Sequence, residues 1–91
     1  MGLSERDIGR IDALLAALGK EIGGPAAACA LGRLVPHLPN RQCDAADVLE
    51  TPFREAGGFD LHLLDTSGHC IRVTGEPAEA TALLIATKAA S

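Results

Sequence analysis

Cys43, His62 and Cys70 are the side chains here best suited to chemistry. Two thiolates and an imidazole suit Zn²⁺, Fe²⁺ or Cu⁺, with Asp60 or Asp44 as a hard fourth ligand. Their spacing matches no established ligand signature: the chain has no Cys-x-x-Cys pair, and the neighbours His69 and Cys70 point to opposite faces of an extended strand. Cys70, His62 and Asp60 also supply a nucleophile, a base and an orienting carboxylate. On a small sheet they are diagonal neighbours with no enclosed pocket, so enzymatic activity is not expected. The structural reading competes with both. In it Cys43 and Cys70 are small semi-buried hydrophobes, Cys29 is packed inside an alanine-rich helix, His62 is a solvated strand residue, and His69 braces a turn against Asp65. No cofactor is then expected, and a transition metal such as Zn or Fe at Cys43, His62 and Cys70 is the alternative.

These residues must be positioned by the stretch Phe59 to Thr74, FDLHLLDTSGHCIRVT, which reads as a β-hairpin. Asp65-Thr66-Ser67-Gly68 is turn chemistry, with Gly68 suited to a positive φ in a three-residue loop with a bulge. That loop sets Asp65 opposite His69, Leu63 opposite Ile71, Leu61 opposite Val73 and Asp60 opposite Thr74. One face is then apolar, with Phe59, Leu61, Leu63, Ile71 and Val73. The other carries Asp60, His62, Leu64, Cys70, Arg72 and Thr74. A two-residue loop would mix the faces, so the pattern selects the longer turn.

Ser4-Glu5-Arg6-Asp7 resembles a capping box, and Ile8, Ile11, Leu15, Leu18 and Ile22 form the apolar stripe of a helix. Gly23-Gly24-Pro25 ends it and starts a second, alanine-rich helix running to about Leu34. Residues 4–35 therefore read as an αα-hairpin. Residues 36–58 read as a linker containing a short strand near Gln42 and Cys43 and a helical turn from Asp44 to Glu50. Pro77 and Glu79 mark a C-terminal helix over 76–89 that covers the apolar face of the hairpin, although Ala82 to Thr87 is also short enough for a buried strand. The expected fold is α+β in a single domain of 91 residues: N-terminal αα-hairpin, a small antiparallel sheet built on the 59–74 hairpin, and the C-terminal helix.

A net charge of −4 argues against nucleic acid or an anionic membrane as partner. No apolar run approaches the roughly 20 residues that span a bilayer, the N-terminus does not read as a signal peptide, and three widely spaced cysteines suit a reducing compartment. A cytoplasmic location is expected.

Cys43-Asp44, the run Gly58-Phe59-Asp60-Leu61-His62-Leu63-Leu64-Asp65 and His69-Cys70-Ile71 together resemble DUF6129, an uncharacterised family of small bacterial proteins. The resemblance covers roughly residues 30–86. This chain departs from the family pattern with Asp60 in place of Asn, His62 in place of Tyr and a less acidic stretch after Cys43. The resemblance implies an accessory role connected with nitrogen-fixation genes. The expected function is accordingly that of a non-enzymatic accessory protein that binds another protein. Its working surface is the polar hairpin face (Asp60, His62, Leu64, Arg72, Thr74), the acidic segment from Asp44 to Glu55, and a free strand edge that can also serve a homodimer.

Overall fold

The computed structural model describes residues 2–18, 23–68 and 70–88. Helices α1 (Glu5–Leu18) and α2 (Gly24–Leu34) come first. Five strands follow: β1 (Asn40–Asp44), β2 (Arg54–Glu55), β3 (Phe59–Asp65), β4 (Arg72–Thr74) and β5 (Ala82–Thr87). The chain is thus α+β, with a mixed sheet.

The start of α1 is the capping box in reciprocal form: the Ser4 N–H donates to Asp7 Oδ2 at 3.1 Å and the Asp7 N–H to Ser4 Oγ at 3.2 Å. The Ser4 backbone bond holds the Asp7 carboxyl below the usual carboxylate range. Ile11 is fully buried, while Ile8, Leu15 and Leu18 pack half-buried against the core. Ile22, the last residue of the expected stripe, lies outside the described residues. Helix α2 approaches the sheet through small residues. Ala27 and Ala28 are buried, and a Cβ on Gly24 would collide with the Thr87 hydroxyl and lie 3.3 Å from Thr87 Cβ. The Asn40 amide donates to the Ala28 carbonyl at 2.6 Å, tying α2 to β1.

The sheet is ordered β1-β5-β3, with β2 and β4 sharing the far edge of β3. Strand β1 runs parallel to β5, and the other pairings are antiparallel. Phe59, Leu61 and Leu63 face Thr87, Ile85 and Leu83 in register. These residues except Thr87 are buried with Ile11, Leu31 and Val35 beneath the two helices.

The C-terminal helix expected over 76–89 is replaced by strand. Pro77–Glu79 makes one 3-10 turn, and Ala82–Thr87 is β5, inserted between β1 and β3. A central strand is buried on both faces, so its sequence reads as an unbroken apolar run in which the two-residue period cannot be seen.

The hairpin register also differs. Leu63 faces Thr74, three residues beyond the expected Ile71, while Leu64 faces Val73 and Asp65 faces Arg72. An odd displacement moves every β4 side chain to the other face. Ile71 consequently stands half exposed ahead of the strand. Gly68 does not adopt a positive φ; among the described residues Gly2 does, at 88°. A carboxylate organises the loop instead. Asp65 accepts from the Ser67 N–H at 2.9 Å, the Ser67 hydroxyl at 2.5 Å and the Arg72 guanidinium at 2.8 Å. The expected brace from His69 to Asp65 lies outside the described residues.

The Ser67 hydroxyl, then its N–H and Arg72, hold the Asp65 carboxyl below its usual range. Because its folded pKa is depressed, Asp65 contributes stability above the unfolded value of about 3.9, and that contribution is lost as pH falls through the folded value. Asp65→Asn should accelerate amide exchange at Ser67 at neutral pH. Its melting temperature, below that of the wild type near pH 7, should converge on it in acid.

Candidate functional site

The sheet's second face carries the chemistry-bearing residues. Register places Cys43, Ala86, Asp60 and Glu55 in one row across four strands, Arg41, Leu84 and His62 in the next, and Leu64 beside Ala82 and Val73. Both helices lie on the opposite side, yet His62, Leu64, Ala82 and Ala86 are buried. Residues 45–53 leave β1 at one edge of the sheet and enter β2 at the other. With both helices on the opposite side, this face is the short route open to them. They begin as a 3-10 turn, Ala45–Asp47, capped by the Asp44 carboxylate accepting from the Ala46 N–H at 3.2 Å. They end where the Phe53 N–H donates to the Leu61 carbonyl at 2.9 Å. This strap passes near enough to His62 for the Glu50 carboxylate to act on the imidazole.

His62 is 1% exposed and its Nδ1 has no hydrogen-bond partner. Burial pushes its pKa down, opposed by the carboxylates of Asp60 and Glu50. It is therefore a neutral ring at pH 7. Buried Asp60 Oδ1 has the Lys88 ammonium 3.2 Å away, at ion-pair distance but without hydrogen-bond geometry. Lys88 is held there by donating to the Ala56 carbonyl at 2.9 Å. Cys43 is half-buried, and desolvation followed by the charges of Asp47 and Asp44 pushes its thiol pKa up. A thiol in that setting is a poor nucleophile at neutral pH.

The structure does not gather the three soft donors. Strand β5 separates Cys43 from His62, which puts their backbones roughly 10 Å apart at ordinary strand spacing. Cys70 is exposed in the β3–β4 loop, past Asp65, whereas Cys43 lies level with Asp60. The five residue steps from Asp60 to Asp65 alone span roughly 17 Å. Among the described residues no group of three or more His, Cys, Asp or Glu side chains is disposed to hold a metal ion. Cys29, expected inside the helix packing, is exposed on α2.

Nor do the five expected interaction residues form one surface. His62 and Leu64 are buried and Asp60 is half-buried. Arg72 and Thr74 align with Asp65 and Leu63 on the other face. Arg72 is exposed but engaged with Asp65, and buried Thr74 donates to Glu79 at 3.0 Å.

The strap falls within the acidic segment expected to be part of the working surface: residues 44–52, DAADVLETP, contain three carboxylates and no cation. Leu49, 95% exposed, is the residue that the sequence reading does not single out. A lone large apolar residue in a charged, alanine-containing stretch was the available signal. Elsewhere, an apolar cavity of about 150 Å³ opens beside Gly2, His37, Leu38, Ala80 and Thr81. That is below the roughly 300 Å³ at which small-molecule pockets begin. No helix among the described residues is long and apolar enough to cross a membrane.

These features define a small α+β protein whose mixed sheet carries two helices on one face, with an acidic segment, the strap, joining its two edges. The chain belongs to DUF6129, a family of unknown function whose profile matches residues 13–88. No curated protein matches it, and no solved structure does.

Proposed function

We propose that this protein is a non-enzymatic accessory protein that binds another protein through the outer side of the strap. The observation that carries the reading is Leu49, 95% exposed with Asp47 and Glu50 close to it in sequence. An exposed leucine of this kind contributes nothing to the fold and is available as an anchor for an apolar recess. The surrounding carboxylates favour a partner whose recess has a basic rim, and they steer its approach. The raised thiol pKa of Cys43 and its separation from His62 support a binding role over a catalytic one. The nitrogen-fixation setting implied by the family resemblance is where that partner should be sought.

Leu49→Ala should change unfolding free energy by less than about 0.5 kcal/mol, because the side chain touches little. A photo-crosslinking residue placed at position 49 in the living cell should yield one predominant heterologous adduct. Glu50→Lys should diminish that adduct, and the same probe at exposed Ala17 on α1 should not produce it. No adduct, or the same adducts from both positions, would overturn the reading.

A further inference from the structure

We infer that β1 is a self-pairing edge, and that two copies of this chain join through it antiparallel about a two-fold axis at Gln42. Strand β1 uses one side to pair with β5, and among the described residues no strand pairs with the other. The Leu83 N–H donates to the Pro39 carbonyl, so the odd-numbered backbone groups turn toward β5. Strand alternation then turns the N–H and C=O of Asn40, Gln42 and Asp44 outward. Arg41, Gln42 and Asp44 are exposed.

The edge is self-complementary in charge. It opens with Arg41 and closes with Asp44, followed by Asp47, and Arg41 makes no ion pair among the described residues. Antiparallel pairing centred on Gln42 uses all five residues and sets Asn40 opposite Asp44 of the second copy. It also sets Arg41 opposite the second copy's Cys43, the residue on whose thiol the Asp47 charge acts. Each guanidinium is thereby brought to a carboxylate of the other chain. A protein that blunts an exposed edge does so with charges that repel a second copy. Here the two ends attract instead. The far side of the sheet offers no equivalent, because it is divided between a two-residue and a three-residue strand.

The test is sedimentation of the full chain at micromolar concentration. The expected mass is twice the 9.4 kDa of one chain. Arg41→Glu should shift the protein to monomer, and adding Asp47→Lys to that variant should restore the dimer. Gln42→Pro removes an N–H that β5 does not use, so it should give a folded monomer. A wild-type monomer at all accessible concentrations, or a dimer indifferent to both Arg41→Glu and Gln42→Pro, would overturn the inference. The strap reading is probed at position 49 and survives either result.

Discussion

Leu61→Ala should lower the unfolding free energy by about 3–5 kcal/mol. Leu61 is fully buried at the middle of β3, facing Ile85 on β5 and Arg54 on β2 beneath the helices. Its truncation removes transfer free energy and leaves a cavity that neighbours locked in sheet register cannot close. A chain of this length has about 5–10 kcal/mol in total, so the loss takes up a large share. Urea unfolding at neutral pH would measure it. A change below about 1 kcal/mol would place Leu61 outside the core.

The second large effect is at His62. His62→Glu should cost about 3–5 kcal/mol at neutral pH, because it buries a carboxylate beside Asp60 and Glu50 with no new partner. His62→Leu keeps the volume roughly constant and removes the unpartnered Nδ1, so its cost should be under about 1.5 kcal/mol or its effect stabilising. The pH dependence separates the two states of the ring. The folded pKa is depressed below the unfolded value of about 6.5, so the unfolded chain binds the proton first as pH falls. The contribution of neutral His62 is complete above about pH 6.5 and declines as pH drops toward the folded value. Urea midpoints across that range should fall for the wild type. His62→Leu should remove this part of the slope.

Local chemistry was legible in the sequence. The Ser4–Asp7 capping box, the Ile11 stripe and the Pro25 start of α2 depend on neighbours within a few residues, and each is present. The errors arise where distant segments decide the outcome. Ala82–Thr87 becomes a strand because β1 and β3 flank it, and neither contact leaves a period in an apolar hexapeptide. The β3–β4 loop is closed by Asp65 with Ser67 and Arg72, a better set of partners than a glycine bulge supplies, and the register follows that carboxylate. The alternation of one hairpin shows two faces and makes His62 read as solvated. Nothing in that alternation shows that His62 is buried in the folded sheet. The path of residues 45–53 between the sheet's two edges directs attention to Leu49, whose exposure can be understood only once the sheet order is known.

A roof over His62 removes the polar hairpin face as a binding surface and leaves the strap outermost. NMR titration of the imidazole ring signals distinguishes a roofed ring from an open one. His62 should titrate below 6.5, and its ring environment should stay that of a neutral, water-excluded side chain through neutral pH. Titration of His62 near 6.5 with the mobility of a surface ring would contradict it, leaving the face open and the strap elsewhere.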